Sequence, residues 1–465
     1  VVGSDDDRIE IGHRGEPEVN NGGPSPDAPT TEPEHVRRPP YGRNPALAAH
    51  GVKARAEIVE AARELFAQSG YQATTVEAIG EATGRSGAAV YQYFEGKSEI
   101  FGVFLREAGD DLKRLGELFP VLTEDRAGRD ELQIWIGRLT RVFAQYEGTF
   151  LNWSQVQFND PTLAAVGQAN LSRFQSSVVD HLAAAGAHPP TPSTVPLGIL
   201  SVAQWSYFIM RARARQVSVD RLEHALANIL HTYLFAPPGE PVRWPTGGQE
   251  SDDLPSIPLG DAMGLRRPVT ARGVDTVQRI LLAAADRFRG TGFYGTSLSD
   301  IAAAAGVSHG SVYTYWADRD ALFATLAQDA LAAVQVRTAA LDAALRTPAG
   351  LADWLDGWLA MLVAHGAVLY VWTHEVADSP ELCEPTAQMN AAVDSVAAAF
   401  ISSSTRAPLT DPEAMRVVLR ALLTDVPYVL STQLGILDRD ATLAFVGGLL
   451  RAGVGAPAFG GPGER

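Results

Sequence analysis

The chain repeats itself, and that constrains its fold more than any other feature. Sliding the 465-residue sequence along itself by 222 positions aligns Ile58–Phe101 with Ile280–Phe323 without a gap, and 14 of the 44 paired positions are identical. Among them are Phe66/Phe288, Gly70/Gly292, Thr74/Thr296, Gly84/Gly306, Ser86/Ser308, Val90/Val312, Tyr91/Tyr313 and Tyr93/Tyr315. Further on the offset becomes 219 and pairs Trp135 with Trp354, Trp153 with Trp372 and Pro161 with Pro380. A self-match of this length means two copies of one structural unit.

Within each copy the apolar residues recur at helical spacing, with abundant alanine and leucine and little β-branched alternation, so the expected class is all-α. Arg55 to Gly70 sets Ile58, Ala61, Ala62, Leu65 and Phe66 on one face and ends at a glycine suited to a helix C-cap. Thr74-Thr75-Val76-Glu77 reads as a capping box that starts a short helix with Val76, Ile79 and Ala82 inward. Gly84 closes it, and Ser86 is placed to cap a third helix from Gly87 to about Tyr93. The second copy repeats the scheme with Ser297-Leu298-Ser299-Asp300 as the box, Gly306 in the turn and Ser308 as the cap. Two short helices joined by a tight glycine-bearing turn form a helix-turn-helix.

The segments GYQATTVEAIGEATGRSGAAVYQYFEGKSEIF and GFYGTSLSDIAAAAGVSHGSVYTYWADRDALF resemble the DNA-binding domain of the tetracycline-repressor (TetR) family of bacterial regulators. The resemblance covers roughly 47 residues in each copy. It implies double-stranded DNA as partner, and after each copy an all-helical domain for a ligand that it does not name. It implies a non-enzymatic cytoplasmic protein associated with the bacterial nucleoid, with no cofactor. The start of the third helix is slim, with Ser86, Gly87, Ala88 and Ala89 in one copy and Ser308, His309, Gly310 and Ser311 in the other. Small side chains let a helix sit deep in a major groove. The expected DNA contacts of the first copy are Thr75, Arg85, Ser86, Gly87, Ala89, Tyr91, Gln92, Tyr93 and Lys97. Those of the second are Ser297, Ser308, His309, Ser311, Tyr313, Thr314, Tyr315 and Arg319. By resemblance the tyrosines reach phosphates or base edges, the alternative being partial core packing, with the stronger case for Tyr91 and Tyr313. Lys97 matches the family's lysine at the start of the next helix, where it would face a phosphate, and Arg319 keeps that charge. Trp316 stands where Phe94 stands in the first copy and is expected in the core.

Charge separates the copies. Lys53 to Phe101 holds five bases and seven acids, whereas Arg266 to Phe323 holds seven bases and five acids. The basic residues ahead of each copy (Arg37, Arg38, Arg43, Lys53 and Arg55; Arg266, Arg267 and Arg272) would lie along the DNA backbone or minor groove, or else form a solvated linker. A net charge of −16 argues against a general polyanion binder. The single Cys383 excludes an intramolecular disulfide and fits a reducing compartment. Neither a signal peptide nor a membrane span is expected, the uncharged stretch 193–210 reading as a buried helix.

These readings divide the chain into a disordered segment 1–44, a helix-turn-helix domain 45–101, a helical regulatory domain 102–236, a linker 237–268, a second helix-turn-helix domain 269–323, a second regulatory domain 324–455 and a flexible tail 456–465. The first 44 residues hold seven prolines, six glycines and nine acids, too little apolar surface to offset ordering entropy. The regulatory domains are rich in aromatics, which at helical spacing form core or line an apolar cavity. The candidates for an effector pocket are Phe150, Trp153, Gln157, Trp205, Trp354, Trp358, Tyr370, Trp372 and His374, with Gln155 and Glu375 as further polar contacts. His365, His374, Glu375 and Cys383 have no usual metal-ligand spacing, so no metal is expected. The helices 197–213 with 221–235, and 414–433 with 440–452, fall where the family builds its dimer interface. One chain carrying both partners implies an intramolecular pseudo-dimer and leaves further association open. The expected function is a ligand-responsive regulator, a repressor released by a small hydrophobic effector, on an operator with two unlike half-sites. The alternative is a small-molecule-binding protein of the same fold with weak or lost DNA binding.

Overall fold

A computed structural model describes residues 45–185, 194–212, 217–236, 264–266, 270–376, 379–404, 411–433 and 438–454. The segments read as disordered (1–44), as linker (237–268, save 264–266) and as tail (456–465) lie outside the described residues. Among the described residues the secondary structure is helical throughout. The first unit contains α1 (Pro45–Ala73), α2 (Val76–Ala82), α3 (Gly87–Val90), α4 (Lys97–Glu117), α5 (Arg126–Gln145), α6 (Glu147–Asn159), α7 (Pro161–Ala184), α8 (Val195–Ala212) and α9 (Val219–Phe235). The second contains α10 (Ala271–Thr291), α11 (Leu298–Ala304), α12 (His309–Tyr315), α13 (Arg319–Ala344), α14 (Pro348–His374), α15 (Cys383–Ser403), α16 (Pro412–Leu423), α17 (Asp425–Tyr428) and α18 (Arg439–Gly448).

The repeated positions are the core of each small N-terminal domain. Ile58, Ala62, Phe66, Ile79, Val90, Phe94 and Phe101 are buried together, as are Ile280, Ala284, Phe288, Ile301, Val312, Trp316 and Phe323. Burying a Phe or Ile side chain contributes roughly 1.5–3 kcal/mol, so each set holds against the longer first helix two short helices, of 7 residues or fewer, that could not persist alone. Trp316 is fully buried and donates its indole N–H to Thr325 Oγ1 at 2.9 Å. Ala82 is not inward as expected. It is exposed, and the buried face of α2 is Val76, Ile79 and Gly80, the i, i+3, i+4 stripe of a two-turn helix. The first helix of each unit breaks where the backbone turns left-handed, at Gly70 (φ 77°) and Gly292 (φ 70°). That conformation suits glycine because it has no Cβ.

The helices that follow each N-terminal domain form one continuous apolar body around α8, α9, α13, α14, α15 and α16. The units touch through α8 and α9 on one side and α16 with the segment Leu449–Val454 on the other. Tyr233 packs edge-on to Phe445 (5.7 Å between centroids), Trp205 edge-on to Tyr370 (5.7 Å), and Arg221 pairs with Asp411. α14 is long and apolar enough to cross a bilayer, yet its Trp354, Trp358 and Trp372 are buried within this body.

Candidate nucleic-acid interface

Both helix-turn-helix units are built by the same local chemistry. Thr74 and Thr296 are buried, and their hydroxyls donate to the carbonyls of Gly70 (2.8 Å) and Gly292 (2.7 Å), fixing the exit from the first helix. In the second copy Ser297 and Asp300 form the reciprocal capping box: Asp300 N–H donates to Ser297 Oγ (3.2 Å) and Ser297 N–H to Asp300 Oδ2 (3.0 Å). The Ser297 hydroxyl, which donates to Asp300 Oδ2 at 2.6 Å, and then the Ser297 N–H hold the Asp300 carboxyl below its ordinary range. The first copy caps α2 with Thr75, whose Oγ1 accepts from Ala78 N–H at 3.1 Å. Because the cap is Thr75 and not Thr74, Glu77 falls at the second helical position and the expected box does not close. Gly84 (φ 66°) and Gly306 (φ 65°) make the turns, and Ser86 and Ser308 cap the third helices through Ala89 N–H and Ser311 N–H.

The third helices differ in length. α12 runs to Tyr315, but α3 stops at Val90 instead of continuing to about Tyr93, and Gln92 and Tyr93 close three-residue bonds to Ala89 and Val90. The exposed face of the first copy presents Ser86, Ala88, Tyr91 and Gln92, with Arg85, Gly87 and Ala89 half-buried at its edge. The second presents Ser308, His309, Gly310, Tyr313 and Thr314, with Ser311 half-buried. The tyrosines pack in the reverse of the expected order. Tyr91 and Tyr313 are 49% and 43% exposed, while Tyr93 and Tyr315 are half-buried against the domain cores. His309 lies edge-on to Tyr313, 4.9 Å between ring centres.

Two expected phosphate contacts are turned inward. Lys97 Nζ donates to the carbonyls of Tyr71 (2.8 Å), Gln72 (3.2 Å) and Thr74 (3.1 Å) and sits over the Tyr71 ring. An ammonium has three donors, and all three are taken. Burial pushes its pKa down. Arg319 does the same in the second copy, donating to Phe293 and Thr296 carbonyls (2.9 Å each) from over the Phe293 ring. Both cations tie the end of the first helix to the start of the fourth. Arg85 is likewise engaged: its guanidinium donates to Glu57 (2.6 Å) and the Thr83 carbonyl (3.0 Å), and this bond lowers the Glu57 pKa. The second copy inverts that arrangement. Arg279, 222 positions after Glu57, donates to the Ala305 carbonyl (2.9 Å), and Val307 replaces Arg85. This exchange accounts for part of the charge difference between the copies. Arg266 is no free arm, since its N–H donates to the Tyr315 carbonyl (2.8 Å) and sets it beside Tyr313. Arg37, Arg38, Arg43 and Arg267 lie outside the described residues.

One pair of contacts has no signature in the repeat. Asn152, buried on α6, accepts Tyr71 N–H at 2.7 Å and donates to the carbonyls of Phe66 (3.1 Å) and Gly148 (2.7 Å). In the second unit Glu375 accepts Phe293 N–H at 2.7 Å. The larger helical part of each unit therefore grips the residue just after the left-handed glycine of its helix-turn-helix domain. Asn152 and Glu375 are 223 positions apart, where the local register is 219, so no alignment of the copies would pair them.

The aromatic candidates separate into different surroundings. Phe150, Trp153, Trp205 and Tyr370 line a cavity of about 90 Å³ that includes residues of both units. Trp358 and Tyr370 line a second of about 40 Å³. Trp372 and His374 border a cleft of about 830 Å³ between the units. Trp354 reaches none of these; it stacks on Trp358 (4.9 Å) and donates to the Arg337 carbonyl. Gln157 lines none either, although its buried Nε2 has no partner, and the Gln155 side chain lies outside the description. His374 sits against Trp205 and Tyr370 and bonds Asp425 at 2.8 Å. Burial alone would raise the Asp425 pKa, but the bond and charge of His374, with Thr424 and Arg420, hold it low.

Residues 58–103 and 280–326 both match the family model described as bacterial regulatory proteins, tetR family. Among curated proteins, the chain is similar to the HTH-type transcriptional repressor AcnR of Corynebacterium efficiens (41% identity over 66 residues, 14% of this chain and 34% of that protein). It is also similar to AcnR of Corynebacterium glutamicum (41% over 64 residues, 14% and 32%) and of Corynebacterium diphtheriae (38% over 64 residues, 14% and 32%). The matched region thus spans about a third of the length of these relatives.

Proposed function

We propose, from the premise that this chain carries two tetR-family helix-turn-helix units in tandem, that it is a sequence-specific DNA-binding transcriptional repressor acting as a single-chain pseudo-dimer. The observation that carries this reading is the pair of complete helix-turn-helices whose exposed faces differ: Ala88, Tyr91 and Gln92 against His309, Tyr313 and Thr314. A homodimer presents one reading helix twice, and its operator mirrors that symmetry. Two unlike helices call for an asymmetric operator with half-sites one helical turn apart, about 34–36 Å. The similar AcnR proteins are named as transcriptional repressors, which supports the direction of control.

A small hydrophobic effector in the interdomain cavity releases the DNA. The route runs along α6, where Thr149, Phe150 and Trp153 line the cavity and Asn152 holds Tyr71 of the DNA-binding domain. Displacing α6 by a fraction of an ångström strains that bond, and coupling of roughly 1–3 kcal/mol suffices for a switch. The second reading, a ligand-binding protein without DNA recognition, draws on the acidic first copy and on the inward Lys97 and Arg85. Selection of bound duplexes from a random pool at moderate salt separates the two. The repressor reading expects enrichment of one bipartite sequence; a pool that stays random would leave only the ligand binder.

A further inference from the structure

We propose that each chain takes one small, uncharged molecule bearing a hydrogen-bond acceptor, in the cavity where α8 of the first unit meets the second unit, and that the second unit has no equivalent site. The inference rests on the effector reading and adds its chemistry and its stoichiometry.

The cavity of about 90 Å³ is walled mainly by apolar side chains, among them Leu105, Leu112, Phe150, Leu200 and Val429, and no charged residue lines it among the described residues. A charged guest would lose its hydration with no counter-ion to meet it, which excludes carboxylates and ammonium ions. The wall also holds two polar groups without partners. Trp205 is 2% exposed and Ser201 7%, both line the cavity, and neither Trp205 Nε1 nor Ser201 Oγ has a hydrogen-bond partner. They stand four residues apart on α8 and so share one face of it. An indole N–H only donates, and a serine hydroxyl can donate, so what is missing beside them is an acceptor. Buried polar groups are nearly always satisfied, and an unmet pair in a cavity wall marks where an outside group completes the set. Of the two amides in the wall, Asn170 is already used, donating to the Leu105 carbonyl (2.8 Å) and accepting from Arg173, while Gln204 is only half-buried and so, unlike Trp205 and Ser201, stays within reach of water. A volume this small, below the usual range of drug-sized pockets, suits a molecule of about ring size.

The second unit is built differently at the corresponding place. With the copies in their 219-residue register, Ser201 and Trp205 fall against Arg420 and Thr424. There the cavity shrinks to about 40 Å³ and its polar groups bond one another. Arg420 reaches Asp394 (3.3 Å) and Asn390, Thr424 donates to Asp425 (2.7 Å), and Asp425 pairs with His374. Nothing is left over for a ligand, so a symmetric pair of sites is replaced by one.

The test is a titration of the full chain without DNA, using acetophenone, its hydrocarbon analogue ethylbenzene and the anion benzoate. The expected result is saturable binding of one acetophenone per chain, ethylbenzene at least about tenfold weaker, and no competition from benzoate. Ser201→Ala and Trp205→Phe should each weaken acetophenone about tenfold and leave ethylbenzene unchanged, while Thr424→Val changes neither. Two equivalents per chain, equal affinity for ketone and hydrocarbon, preference for benzoate, no saturable ketone binding, or indifference to both α8 substitutions would each overturn the proposal. DNA retention is scored separately. Acetophenone bound one per chain without releasing a selected duplex would remove the regulatory reading and leave the site standing.

Discussion

Replacing Lys97 by methionine separates a structural cation from a DNA contact. The substitution keeps the stem and removes an ammonium whose three donors hold the carbonyls of Tyr71, Gln72 and Thr74 at 2.8, 3.2 and 3.1 Å. A hydrogen bond to a charged group contributes about 1.5–3 kcal/mol. The three share one donor group and the site is half-buried, so water recovers much of the loss and the sum is far from additive. A net cost of roughly 2–3 kcal/mol to the first DNA-binding domain is expected, equivalent to about a 30- to 150-fold fall in protection of its slowest amides. Hydrogen exchange at Tyr71 and Ile79 reads this directly. Affinity for a selected duplex should fall by the share of molecules whose domain is open, with no change in the slope of log K against log salt. Loss of about 0.9 from that slope with exchange unaltered would show that the ammonium neutralises a phosphate, and the inward assignment would be wrong. Arg319→Met makes the same test on the second domain, where the carbonyls are those of Phe293 and Thr296.

Gly292→Ala should destabilise the second DNA-binding domain by roughly 2–4 kcal/mol, because a Cβ at φ 70° costs about 1–2 kcal/mol and would lie 2.6 Å from Glu375 Oε1. Gly84→Ala, with a similar φ and no atom within 4 Å, should cost only the conformational part; equal effects in denaturant titrations would refute the clash. Burial lowers the His365 pKa beside Asp329, so its contribution is intact above the ordinary value of 6.5 and is lost as pH falls below it, since the unfolded chain then binds the proton first. Asp329, raised by burial, opposes this at lower pH, and His365→Gln should abolish the loss just below 6.5; an unchanged pH–stability curve would contradict it. Gln92→Ala and His309→Ala should each change base preference in one half-site only, by roughly 1–3 kcal/mol per contact, and a selection in which both half-sites shift together would sink the assignment.

Much of the helix-turn-helix scaffold was legible in the sequence because its chemistry is local. A serine cap, a left-handed glycine and a buried valine are set by neighbours within one or two turns, so Ser86, Gly84 and Val90 and their second-copy partners could be placed by spacing alone. What failed was set by tertiary geometry. Lys97 and Arg319 look like solvent-facing cations until the break at Gly70 or Gly292 points a fan of carbonyls at them. Which tyrosine of each pair faces outward depends on the rotation of a helix only one or two turns long, and period-based reading does not resolve that. Asn152 and Glu375 do one task with different chemistry at unmatched positions, which leaves no trace in the repeat. The aromatic stripe predicted core and cavity alike, and only packing separated Trp354, stacked on Trp358, from Trp205 in a cavity wall.

In the proposed function one chain supplies both readers of one operator. Native mass measurement of the complex on a selected duplex tests it most directly. The expected result is a single 49.6 kDa chain per duplex at saturation, with footprints on two half-sites of different sequence. Two chains bound to one operator, each protecting an identical half-site, would contradict it.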